Sequence, residues 1–417
     1  MVAGQQAAPA GRLPRLSTLE AFRSAPFRYL WVNTFTFFMV MGIQRFAFVW
    51  LVLDLTSGPK AAGIVTFALG IPVLFVALPA GVLSDRVNRR TLLMASQGVA
   101  TTVVLATAAL IWADMMTVPL AVMMALLAGS ATAMTQPVRT AIVPTLVERD
   151  RLMNAIVLTT LGMNVSMIIG PAIGGASIRL WGLAGSFAVQ GAILALGWLM
   201  LVPLRVPKLT RATGSAKPMQ DLREGLRFVV GERRIFLLIV LLVVSGMLMM
   251  GPSSALIPQI AKEELGKDAL AASLLFAFVG VGMMATSLLL ASLTEMPNKG
   301  GWFVVSLVLG GTVFAGIGLS PVYALTAVLM VIWGMGGGFF MNLNQTLIQG
   351  NTPHELMGRV MSIHTLGFMG LTPMGALLAG GMASVVGAPE WVAISGLTLT
   401  LVSAFILVTQ PELRRME

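Results

Sequence analysis

The chain of 417 residues contains no cysteine, which excludes disulfides, thiolate metal ligands and cysteine nucleophiles together. Its two histidines, His354 and His364, are too few for a typical metal cluster, so neither a metal nor a cofactor is expected. Charge is scarce as well. Asp, Glu, Lys and Arg make up 11% of the residues, where an ordinary soluble domain carries about a quarter. So little polar sequence leaves no room for a large extramembrane enzyme, and no nucleophile, acid and base fall together. What is abundant is apolar, 57% of the residues being hydrophobic. Roughly 20 apolar residues cross a bilayer as helix, so this length holds about a dozen spans. The fold class is an all-α membrane protein, and the lipid bilayer is its partner on every side.

Apolar runs broken by Gly, Pro and charge place twelve spans near 29–53, 61–83, 91–112, 118–142, 154–178, 184–204, 235–257, 270–291, 301–319, 322–347, 360–385 and 390–409. An even number puts both termini on one side of the membrane. Of the 27 basic residues only Lys60, Arg179, Lys262 and Lys267 fall on the opposite side and Arg45 within a span, leaving 22 on the side of the termini. The positive-inside rule makes that side cytoplasmic, in a cell inner (cytoplasmic) membrane. The net charge of +10 is therefore topology, and no nucleic-acid partner is expected.

The first apolar run, about 25 residues, is too long for a signal-peptide core of roughly 7–15. The expected organisation is a cytoplasmic segment over 1–28, a six-helix bundle over 29–204, a linker over 205–234, a second bundle over 235–409 and a cytoplasmic tail over 410–417. Within the linker, DLREGLRFVVGERR has apolar residues at helical spacing and predicts an amphipathic helix. An internal repeat supports the two halves. Span five carries Gly170-Pro171-Ala172-Ile173-Gly174-Gly175, and span eleven carries TPMGALLAGG about half the chain further on, each after a polar turn. Many secondary transporters are built from halves related in this way, with the substrate site between them.

The strongest local signal lies between spans two and three: Gly81-Val82-Leu83-Ser84-Asp85-Arg86-Val87-Asn88-Arg89-Arg90. A carboxylate there can accept from the N–H groups of a nearby helix N-terminus, and the guanidiniums can pair with carboxylates or lipid phosphates. The segment resembles the signature loop of the major facilitator superfamily, G-x-L-A-D-R-x-G-R-R, and sits between the two helices that carry it there. Asn88 replaces the usual Gly, with the left-handed conformation expected to survive. Gly170, Pro171, Gly174 and Gly175 are similar to the proline-glycine motif of the exporter branch, where they would let the helix bend and pack closely. PFRYLW, Pro137-Val138-Arg139-Thr140-Ala141, EGLRFV and GRVMS resemble the subfamily of enterobactin exporters and macrolide or tetracycline efflux proteins. The resemblance implies the major facilitator fold, with twelve transmembrane helices in two pseudo-symmetric six-helix halves. It also implies a conformational latch in which Asp85 caps span eleven near Arg359, and Arg86 or Arg89 pairs with Glu148. The family's intramembrane arginine early in span four is absent, and the second-half copy of the loop has decayed to Leu293-Thr294-Glu295-Met296-Pro297-Asn298-Lys299.

Ionisable groups within spans are site candidates because they cost several kcal/mol there. Arg45, with Gln44 and Asn33 on the same span, is expected to face a central cavity, together with Asn164, Asn342, Asn344 and Gln345. Arg139 and His364 read better as gate or packing groups. No carboxylate falls in the middle of a span, so neutral or anionic small molecules are favoured over cations. A proton or another ion would be the coupling partner; a proton would have to ride on Asp54, Asp85, Glu148 or His364, with Asp54 and His364 the candidates, and only histidine titrates near neutrality unperturbed. The 29 methionines supply a soft wall for varied apolar ligands, although most face lipid or core. Export of an amphipathic drug, siderophore or lipid-like metabolite is the leading expectation. Uptake on the same fold and a non-transporting membrane scaffold are the alternatives.

Overall fold

The computed structural model describes residues 20–148, 151–206, 218–293 and 296–416. Among them eleven helical stretches are long and apolar enough to cross a membrane. One of these, Leu152–Met200, has 49 residues, twice the length needed, and breaks at Gly182, where φ is 68°. Glycine alone adopts that angle without penalty, so Gly182 turns the chain between spans five and six. The result is twelve spans. Span one is Ala25–Leu55; span two joins Pro59–Gly70 to Pro72–Arg86; spans three and four are Arg89–Trp112 and Val118–Leu146. Span seven runs from Arg233 to Glu264, span eight is Ala269–Ser292, span nine Lys299–Gly318 and span ten Tyr323–Gly350. Span eleven runs from Met357 to Val386, and span twelve is Ala388–Thr409.

Local chemistry sets these ends. Ser24 accepts from the Phe27 amide, and its hydroxyl donates to the Leu146 carbonyl at 2.9 Å, tying the start of span one to the end of span four. Asn88 does not take the left-handed conformation expected of it. Its φ of −56° is ordinary, and its side chain accepts from the Arg90 amide at 2.9 Å as the N-cap of span three. A capping residue needs a short acceptor, which Asn supplies and Gly does not. Span seven ends seven residues beyond the expected 257 because its polar end keeps its own partners: Gln259 donates to Glu263 at 2.8 Å, and Lys262 reaches back to span one. In the linker, the helix Pro218–Gly231 packs Gly225 beneath Arg359 and Ile363 of span eleven, with Glu224 2.7 Å from Arg359.

The repeated glycine segments do equivalent work in each half. A Cβ on Gly170 would lie 2.7 Å from the Met39 carbonyl, and one on Gly174 would lie 2.9 Å from Ile43, so span five closes on span one. A Cβ on Gly251 would lie 2.5 Å from the Ala376 amide, so span seven closes on span eleven in the same way. The backbone through Gly170, Pro171 and Gly174 stays helical, and Gly182 is where it departs. The motif's observed use is thus close packing.

Candidate functional site: the cleft between the halves

The halves meet along two helix pairs. Span two lays Gly63 against Ala376 and Gly380 of span eleven and Gly70 against Pro373. Span five lays Gly175 against Ser273 of span eight and Ile168 against Gly280. Seven residues make two turns of helix, so Gly175, Ile168 and Leu161 share one face of span five, and Ser273, Gly280 and Ser287 share one face of span eight. The first two levels touch. At the third, toward the termini, Leu161 is 53% exposed and Ser287 is exposed too. The halves therefore part about two turns beyond Ile168, and a cleft opens on the side of the termini.

Two charge pairs hold the far side. Lys262 of span seven donates to the Leu53 carbonyl at 2.9 Å and stands 3.4 Å from Asp54. Arg179 lies 3.5 Å from Asp268, joining the end of span five to the start of span eight. Phe46 of span one meets Phe276 of span eight edge-on at 6.3 Å between ring centroids. Of the residues in these cross-half contacts only Asp54 was among the expected site residues, and there as a proton carrier. The usable signal was symmetry: Asp54 and Lys262 end spans one and seven, which are equivalent in the repeat, and equivalent positions beside a twofold axis approach each other.

Arg45 is the only exposed residue between Leu30 and Leu53. The rest of that stretch is buried or half-buried. The Arg45 guanidinium has no ion pair among the described residues.

Several expected cavity residues are elsewhere. Asn33 is fully buried, donating to Gln97 Oε1 at 2.7 Å and to the Gly197 carbonyl at 2.8 Å while accepting from Arg139 at 2.5 Å. Arg139, 2% exposed, also donates to Thr34 at 3.0 Å and lies over the Phe37 ring at 4.4 Å. Its Nε and Nη2 have no hydrogen-bond partner among the described residues. Asn33 thus braces the inside of the first half instead of lining the cleft, because a buried guanidinium and an amide satisfy each other there. Asn344 corresponds to Arg139 in the second half and is likewise fully buried, donating to the Leu238 carbonyl at 3.1 Å and meeting His364 Nε2 at 2.9 Å. Gln44 is buried at 5% exposure. Asn164, Asn342 and Gln345 are exposed, and Asn342 donates to Ser287 at 3.3 Å on the cleft wall.

The expected latch is only partly in view. Of Gly81, Asp85 and Arg86 only the helical backbone falls within the described residues. Arg90 donates to the carbonyls of Leu201 (3.0 Å) and Val202 (2.6 Å), so it caps the end of span six. Glu148 stands 3.5 Å from Arg151, its neighbour in the next turn. Asp54, expected as a proton carrier, is held by Lys262.

A twelve-span bundle of two repeated halves, with a cleft along their interface, defines a transporter of the major facilitator type. More narrowly, the chain belongs to the transmembrane secretion effector family, whose model matches residues 16–417. It is 22% identical over 386 residues to the staphyloferrin A transporter of Staphylococcus aureus, covering 91% of this chain and 96% of that one. It is 26% identical over 275 residues to the enterobactin exporter EntS of Citrobacter koseri, a match that spans 65% of this chain and 64% of the exporter. In fold it is similar to the nucleoside transporter NupG (TM-score 0.71, 14% identity, 94% of this chain and 100% of that one). A bacterial homologue of the human lysosomal transporter Spinster is similar too, at TM-score 0.72 and 14% identity over 95% and 99% of the two chains.

Proposed function

We propose that the protein exports an amphipathic neutral or anionic small molecule by alternating access. In this reading the termini are cytoplasmic, as the basic residues argue, and the cleft loads from the cytoplasm of a bacterial inner membrane. The observation that carries the substrate class is Arg45: an exposed residue in a largely buried helix, without an acid to match it among the described residues. An anion or a carbonyl-rich ligand relieves that charge, whereas a cation adds repulsion in a low dielectric. Relatives named for staphyloferrin A transport and enterobactin export support a siderophore-like cargo and the outward direction. For coupling, Asp54 is committed to Lys262, and His364 is a brace to Asn344 before it is anything else. Transport fully driven by a pH gradient in an Asp54→Asn, His364→Gln double variant removes both from the proton path.

The deciding experiment measures binding of a matched anionic and neutral amphiphile to Arg45→Ala and Arg45→Lys. Arg45→Ala should lose about 2–5 kcal/mol for the anion and far less for the neutral ligand. Equal losses for both overturn the assignment, and tight binding of cations by the unaltered protein does so sooner. Uptake by inverted proteoliposomes in the opposite sense would reverse the direction.

A further inference from the structure

Away from the cleft, on the side of the termini, the last residues of the chain dock against the start of span nine. Gly300 donates its amide to the Met416 carbonyl at 3.0 Å, and its missing Cβ leaves room for the Leu413 carbonyl. Leu413 and Met416 are buried there at 1% and 4% exposure. The segment is tied from below, Arg233 donating to Gln410 at 3.0 Å and Arg234 standing 4.0 Å from Glu412. Those ties use the arginines of span seven. Arg414 and Arg415, on the same segment, are exposed and take no part in an ion pair or hydrogen bond of their side chains among the described residues. Both line a recess of about 500 Å³ with Asn298, Gly301, Trp302 and Val305.

The recess is graded in polarity along the membrane normal. At its mouth are the two guanidiniums and the first turn of a 20-residue helix, whose cap residue Asn298 (φ 53°) makes no side-chain cap bond, the amides of Gly300, Gly301 and Trp302 being taken by backbone carbonyls. One turn deeper is Trp302, half exposed, and a further turn inward is Val305. A tryptophan at that depth suits the level of lipid headgroups. Guanidiniums above, an indole at the boundary and an aliphatic wall below match a phosphate diester attached to acyl chains, and the apolar floor distinguishes this from a site for a free phosphate ion.

We propose that this recess binds the anionic headgroup of a phospholipid from the leaflet on the side of the termini, with Arg414 and Arg415 on the phosphate and Trp302 and Val305 along the glycerol and the first methylenes. The bound lipid would clamp the chain's end to span nine.

The test uses the full-length protein in phosphatidylcholine nanodiscs, titrated with phosphatidylglycerol and read by native mass spectrometry and thermal midpoint. The unaltered protein should retain one phosphatidylglycerol above background and gain stability. Arg414→Gln with Arg415→Gln should weaken that retention about 30-fold, roughly fivefold for each charge, while Arg414→Lys with Arg415→Lys keeps most of it. Arg223→Gln with Arg227→Gln, on the exposed face of the linker helix, serves as the control for general charge loss and should leave retention unchanged. Equal retention by the glutamine and unaltered proteins overturns the site. So does an equal loss in the linker control, and so does the same stabilisation from inorganic phosphate without lipid.

Discussion

Lys262 donates its ammonium to the Leu53 carbonyl at 2.9 Å and stands 3.4 Å from Asp54, joining the far ends of spans one and seven. The same ammonium lies 5.4 Å from the Trp50 ring, so one cation touches three consecutive features of span one. These spans must separate for the far side to open, and the contact therefore belongs to the closed far side alone.

Lys262→Met should shift the protein toward the state open on the far side. Both partners are partly exposed to solvent, so the pair contributes less than about 1 kcal/mol and the shift is up to about fivefold. Arg179→Gln should add to it, because the second pair lies on different helices. A cysteine-free chain makes this measurable. A single cysteine at Ala272, fully buried here, should label faster in the variants. Unchanged labelling counts against the lock.

Gly63→Val should wedge span two from span eleven, since even a Cβ would lie 2.7 Å from the Ala376 carbonyl. The expected outcome is faster labelling at the same probe with reduced transport. Gly334→Val makes a comparable clash with the Val279 backbone, but within the second half. It should lower expression and thermal midpoint without changing the labelling rate of the protein that does fold.

Stranding the Arg139 guanidinium should cost more than removing it. Asn33→Ala leaves a buried guanidinium short of its acceptor and should destabilise by roughly 3 kcal/mol. Arg139→Met removes the buried ion but leaves the Asn33 oxygen without its donor, and should cost less, about 1–2 kcal/mol. Thermal midpoints of both and of the double variant decide it; a double variant as unstable as Asn33→Ala alone places the cost elsewhere.

In the second half, His364→Leu should strand the Asn344 side-chain oxygen and cost about 1–3 kcal/mol, whereas His364→Gln can still donate to it. Equal midpoints for the two would show that the bond adds nothing to stability.

The spans were legible because a bilayer demands about 20 apolar residues in a row, and that demand is written locally. Which polar residues inside them face the cleft was not. Asn33 and Arg45 stand twelve residues apart on one helix, so they point about 120° away from each other. Sequence shows both as polar groups in an apolar run. Only the position of Arg139, 106 residues from Asn33, decides that one is a brace, leaving the other exposed. The same holds for Asn342 and Asn344: two residues apart, they face opposite ways, one to Ser287 and one to Leu238.

π-turns interrupt span seven at Gly246–Met250 and Ile260–Glu264 and span eleven at Leu366–Gly370, and the first and last of these lie against each other where a Cβ on Gly246 would be 3.5 Å from the Phe368 ring. A π-turn holds one residue more than the α-helical turn it replaces. Letting that residue slip back into register would rotate everything beyond it by about 100°. Among the described residues the first half has no such turn; span two breaks at Ile71, between Gly70 and Pro72, and the helices run on through Pro79 and Pro171. The two halves share a fold and differ in what their helices hold in reserve: among the described residues the second alone carries a stored click of a ratchet, on spans seven and eleven.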